Sequence, residues 1–146
     1  MRSRDGRWKR LNGDWCLYCG ALADSGDHFP CRAVAYSGWI LPACRQCNST
    51  LNDRWPWNLE KRIEMAKAEI VQRTRHLMRS PPWDADDLSE LGPNMRREVK
   101  LWQEKRKIAR ARIAWNATVY LCLIDKDNDF ARFRAEIDGT RRTARG

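Results

Sequence analysis

Two Cys-x-x-Cys pairs bracket an Asp-His dipeptide in the first third of a 146-residue chain. Cys16 and Cys19 come first, then Asp27 and His28, then Cys44 and Cys47, with Asn48 directly after. Four thiolates at this spacing suit one tetrahedral zinc ion, because residues 20–43 are long enough for a hairpin and a return to a helix. A redox dithiol would instead need one pair at the start of a helix in a βαβ context, and no such pattern is visible. Four thiolates close the coordination sphere, so this Zn²⁺ is expected to be structural. It would replace the core that so short a segment lacks. Any reaction must then use other side chains. Asp27-His28 is the acid–histidine pair of this segment, and an imidazole beside an acid either accepts protons or simply packs. The other histidine, His76, lies among arginines in a helical stretch and carries no chemical expectation.

The elements that must hold these groups follow from the surrounding pattern. Asp14 to Gly20 (DWCLYCG) fits a tight knuckle, with Gly20 freeing the backbone after the second thiolate. A short β segment leads into His28 and Phe29, and Pro30 interrupts its pairing. Trp39-Ile40-Leu41 is a second apolar segment, and Ala43 to Asn48 reads as the first turns of a helix. The expected unit is a hairpin followed by a helix, clamped by zinc at both ends. Trp55-Pro56-Trp57 is a break, after which Asn58 caps a helix to about Arg79. Leu59, Ile63, Ala66, Ile70 and Leu77 share one face of it. Ser80-Pro81-Pro82 ends that helix, and Asp84 caps a short one to Leu91. From Pro93 one long helix is expected, with Met95, Val99, Trp102, Ile113, Tyr120 and Ile124 on a stripe. Asp125 to Asn128 breaks it, and a last helix covers Asp129 to Ile137.

The expected fold class is α+β, mostly α: a small zinc-stabilised module followed by a basic helical domain. Residues 1–13 read as a basic arm, 14–54 as the zinc module, 55–140 as the helical domain and 141–146 as a basic tail. A net charge of +9 and a pI near 9.6 favour a polyanionic partner, most simply nucleic acid. The arm carries Arg2, Arg4, Arg7, Lys9 and Arg10, and the tail Arg141, Arg142 and Arg145. Arg96, Arg97, Lys100, Lys105, Arg106, Lys107, Arg110 and Arg112 crowd one helix, and Arg45 sits beside the thiolates. These are the expected phosphate contacts; a merely solvated face is the plainer alternative. No apolar leader precedes the cysteines and no apolar run could span a bilayer, so a reducing cytoplasm and no membrane partner are expected. Cys31 and Cys122 read as small buried thiols. Eight tryptophans point to packing, with Trp55 and Trp57 placed to pin the two parts together.

The pattern Cys-x-x-Cys, Asp-His-x-Pro, then Leu-Pro-Ala-Cys-x-x-Cys-Asn resembles the zinc-containing branch of the HNH endonucleases. That resemblance covers residues 14–54. It implies a ββα-metal (His-Me finger) fold related to treble-clef zinc fingers, and, with the basic helical tail, a phage-type protein acting in the host cytoplasm. It implies His28 as the base that activates water, with Asp27 and Asn48 as ligands of a catalytic Mg²⁺ or Mn²⁺. Such a cation would act as Lewis acid on the phosphate and assist the departing 3′ oxygen. Two protein ligands would leave it room for waters and a phosphate oxygen. The family's middle Asn, which steadies the hairpin, falls here on Trp39, and the proline comes one residue early at Pro30. The expected activity is phosphodiester hydrolysis in DNA, with RNA or branched DNA as further substrates. A non-catalytic treble-clef module binding nucleic acid or a partner protein is the rival.

Overall fold

The computed structural model describes residues 7–52, 54, 58–79 and 83–144, with side chains to residue 139. Arg2, Arg4, Trp55, Pro56, Trp57, Ser80, Pro81, Pro82 and Arg145 lie outside the described residues, as do the side chains of Arg141 and Arg142. The fold is α+β and mostly helical. Three strands, β1 (Trp8–Arg10), β2 (Ser25–Phe29) and β3 (Gly38–Ala43), form one sheet in the order β1-β3-β2. β2 runs antiparallel to β3, and β1 runs parallel to it. The end of the expected arm is therefore a strand. Trp8 and Arg10 stand on one side of it, and Lys9 on the other, in register with Gly38, Ile40 and Trp39 of β3.

Helix α1 (Arg45–Leu51) follows β3 after a single residue, so hairpin and helix come in the expected order. Helix α2 (Leu59–Arg73) is capped by Asn58, whose side chain accepts from the Lys61 amide. It buries Leu59, Arg62, Ala66 and Ile70, a helical stripe with a charge inside it. Thr74 ends α2 before Arg79, because its hydroxyl bonds the Ile70 carbonyl at 2.7 Å and competes with the helical ladder. Helix α3 (Arg75–Met78) resumes the path and buries Leu77. Helix α4 (Ala85–Ser89) has a reciprocal capping box between Asp84 and Asp87.

The expected single long helix is two: α5 (Pro93–Ala114) and α6 (Ala117–Ile124). Two side chains account for the break. Trp115 turns inward, its indole N–H donating to the Leu17 carbonyl at 3.0 Å. Asn116 then caps α6 by accepting from the Val119 amide. Helix α7 (Asp129–Ala144) runs past Ile137 and starts on the buried Asp125 carboxylate, which accepts from the amides of Phe130 and Ala131. Met95 departs from the expected stripe and is exposed, as are Leu101 and Ile108. Cys31 is buried as expected, whereas Cys122 faces outward on α6.

One core joins the two expected parts. Leu17, Tyr18, Leu41 and Leu51 of the cysteine-rich segment pack with Leu59, Ala66 and Ile70 of α2, Leu121 of α6 and Phe130 of α7. Phe130 is fully buried, which contributes about 1.5–3 kcal/mol over leaving it in water. Among the described residues no helix is long and apolar enough to cross a membrane.

Candidate metal centre and the two faces of the sheet

The four thiols of Cys16, Cys19, Cys44 and Cys47 converge, their sulfurs all within 4.8 Å of one another, and all four residues are buried. The Cys19 and Cys44 sulfurs are 3.7 Å apart. A tetrahedron with Zn–S bonds of about 2.3 Å has sulfurs about 3.8 Å apart, so the cluster fits a structural zinc. Local backbone chemistry builds each half. In the knuckle, the Gly20 amide bonds the Cys16 carbonyl at 2.9 Å and the Cys16 amide bonds the Ala21 carbonyl at 2.6 Å. Gly20 takes φ +76° there, and the Trp115 ring fills the space where a side chain would stand. In the other half, Cys44 caps α1, its sulfur accepting from the Cys47 amide at 3.4 Å.

Crowding divides the negative charge among the thiols. Hydrogen bonding to Cys16 first, opposed by Cys19 and helped by Cys47, holds Cys44 down to about 6. Cys19 is also lowered, chiefly by its bond to Cys16, whereas Cys16 and Cys47 are pushed up. A bound zinc would take all four as thiolates, leaving a strongly negative knot. Arg112 of α5 faces that knot, its guanidinium 4.0 Å from the Cys44 sulfur. Arg112, one of the expected phosphate contacts, thus stands where its charge would offset that of the thiolates.

Asp27 and His28 are neighbours in β2, so their side chains leave the strand on opposite faces. Asp27 points under the sheet. Both its carboxylate oxygens accept from one guanidinium nitrogen, Arg62 Nη2, at 2.7 and 2.9 Å. The Tyr18 hydroxyl donates to it at 2.5 Å. Arg62 also donates to the Arg54 carbonyl at 2.7 Å, and both Asp27 and Arg62 are about 1% exposed. Burial pushes the Asp27 carboxyl above its ordinary range, while Arg62 and Tyr18 pull the other way. Asn48 uses its amide N–H on the Ser25 hydroxyl at 2.7 Å. The open two-ligand cation site expected from Asp27 and Asn48 is not formed. A guanidinium already fills the electrostatic place of a cation, so these residues do not fit Mg²⁺ or Mn²⁺ as arranged.

His28 leaves the other face. It is half-buried, and the Trp8 ring meets it edge-on, centroids 4.8 Å apart. Burial first, then the charge of Arg32, lowers its pKa, with Asp27 opposing and Arg10 adding to the fall. Trp39, where the resemblance expects a middle Asn, packs edge-on against Phe130 and carries the Lys9 ammonium 5.7 Å from its ring centre. It serves the core rather than the imidazole.

The expected basic contacts divide. Arg97, Lys100, Lys105, Lys107 and Arg110 are exposed along α5, and Arg45 is exposed beside Asp24. Arg106 is half-buried. Arg96 spends its guanidinium on the Leu88 and Leu91 carbonyls, tying α4 to α5. Arg62 and Tyr18 escaped the reading of the sequence. Only Arg62 had a signal: it interrupts an apolar stripe at Leu59, Ala66 and Ile70, and an arginine in that place needs a buried anion. Compared with family models, curated proteins and solved structures, the chain matches none.

Proposed function

We propose that this chain is a zinc-stabilised HNH-type endonuclease of the ββα-metal fold, hydrolysing phosphodiester bonds in DNA. The observation that carries this reading is the placement of His28, half-exposed near the end of β2, on the sheet face opposite the Asp27–Arg62 pair. The hairpin that holds it runs straight into the four-cysteine cluster and α1. In the proposed reaction the neutral imidazole of His28 takes the proton of the attacking water. The oxygen of that water bonds to phosphorus as the bond to the leaving oxygen breaks, and that oxygen departs with the bonding pair and takes a proton from solvent. Exposed cations of α5 hold the nucleic-acid backbone in the meantime. No step is assigned to a cation at Asp27 and Asn48, since their groups are already engaged.

The test is nicking of supercoiled plasmid, with Mg²⁺ or Mn²⁺ supplied, by the zinc-loaded wild type and a folded His28→Ala. Loss of a general base should cost about 10²–10⁴-fold in rate. Equal nicking by both proteins would end the reading.

A second reading is favoured by the buried Asp27–Arg62–Tyr18 cluster: a treble-clef-like module that binds nucleic acid, or a partner protein, without cleaving it. It predicts salt-sensitive binding by the wild type and no nicking under any divalent cation.

A further inference from the structure

We propose that Arg10 and Arg32, on either side of His28, form a clamp for the phosphates of duplex DNA on the outer face of the sheet. The inference rests on the reading that the chain acts on nucleic acid, and it makes strand β1 part of the working site rather than a loose arm.

Register supplies the first argument. Arg10 of β1 and His28 of β2 are both paired with Ile40 of β3, so the three stand in one row across the sheet, and adjacent residues of a row share a face. The Arg10 guanidinium does not leave this face. A methyl group built on Gly26 would meet Ile40 Cγ2 at 2.5 Å and Arg10 Nη1 at 3.6 Å. Arg10 thus reaches across Ile40 toward β2, and Gly26, two residues before His28 on the same side, leaves the lane open. Arg32 approaches from the turn after β2, where the Val34 amide bonds the Cys31 carbonyl. It lies close enough for its charge to act on the imidazole.

Charge supplies the second argument. Both arginines are exposed, and among the described residues neither forms a salt bridge, while Arg45, Arg62, Arg73, Arg132 and Arg134 each do. Two guanidinium charges that act on one imidazole make a positive neighbourhood that an anion would relieve. A phosphodiester supplies that anion in the forked geometry a guanidinium prefers. The Trp8 ring pins the imidazole from the side. The row then offers two phosphate anchors with a proton-accepting group beside them.

The test measures binding of a fluorescein-labelled DNA duplex to the full-length, zinc-loaded protein by anisotropy across a series of salt concentrations. The proteins are wild type, Arg10→Gln/Arg32→Gln, Arg10→Lys/Arg32→Lys, and Arg75→Gln/Arg79→Gln as a charge-matched control at α3. Removing two phosphate contacts should make the slope of log K against log salt shallower by about 1.8, at about 0.9 per contact. The lysine pair should keep the wild-type slope, since it keeps both charges, and the α3 control should keep both slope and affinity. A glutamine pair that binds with the wild-type affinity and slope overturns the clamp while leaving nucleic-acid binding intact. So does an α3 control that loses as much as the glutamine pair, because the effect would then be diffuse charge. A wild type that binds no duplex overturns the clamp and the proposed function together.

Discussion

The two faces of the three-stranded sheet treat ionisable groups in opposite ways. Under the sheet, Asp27 has both oxygens engaged and almost no contact with solvent. Above it, His28 is half-exposed, and the charges of Arg32 and Arg10, neither in a salt bridge among the described residues, act on it. The residues are adjacent in the chain, and a strand sends adjacent side chains to opposite faces. One face therefore uses its charge for cohesion, joining β2 to α2. The other leaves its charges, Arg10 and Arg32, exposed. A buried ion pair brings little net stability compared with apolar packing, but breaking it is costly, so it specifies how α2 docks.

The largest break removes what holds both faces at once. Cys44→Ser takes one thiolate from the cluster while keeping an N-cap acceptor for α1, so its effect reads the loss of the metal ligand. Structural zinc binding is worth on the order of 10 kcal/mol of folding free energy. The variant should therefore lose its metal and its cooperative unfolding transition, read by elemental analysis and circular dichroism. A zinc-loaded, cooperatively folding Cys44→Ser would refute the four-thiol site. Next comes Arg62→Met, which leaves Asp27 buried without its cation and should cost about 3–5 kcal/mol in urea unfolding. The triple variant Arg62→Met/Asp27→Leu/Tyr18→Phe should recover most of that loss, since it removes the ion pair together with the buried hydroxyl that bonds to it. If Arg62→Met costs less than about 1 kcal/mol, the lower face is not held by this pair.

The parts of this molecule legible from sequence are those with local signals. The thiol spacing marks the cluster, and the caps at Asn58 and Asp84 mark two helix starts that the structure keeps. The breaks at Thr74 and Trp115 are invisible to periodicity. A hydroxyl bonded to a carbonyl four residues back, and an indole reaching to Leu17, are contacts that apolar spacing does not record. Strand β1 is hidden for a similar reason. Trp-Lys-Arg reads as a charged arm until β3 is there to pair with it. The candidate site is half legible. Asp27 and His28 stand out in the sequence as an acid–histidine pair between the thiols. Whether they act together is a question of strand faces and of Arg62, which lies 35 residues from Asp27.

The smallest expected effect probes the upper face through pH. His28 has its pKa lowered, first by burial and then by Arg32, against the pull of Asp27. Between that lowered value and the ordinary histidine value near about 6.5, the unfolded chain binds more protons than the folded one. Stability contributed by the neutral imidazole is thus fully present above about pH 6.5 and is lost as pH falls through the folded pKa. Because the ring is only half-buried, solvent screens the effect and it should be small. A urea midpoint followed from about pH 7.5 down to about pH 5 should fall slightly for the wild type and less for His28→Gln. Adding Arg32→Gln to the wild type should raise the imidazole pKa, read by NMR titration of its ring protons, because one repelling charge is gone. A ring that titrates identically with and without Arg32 would mean the arginine does not face the imidazole. The contrast between a closed lower face and a charged upper one would then rest on Arg10 alone.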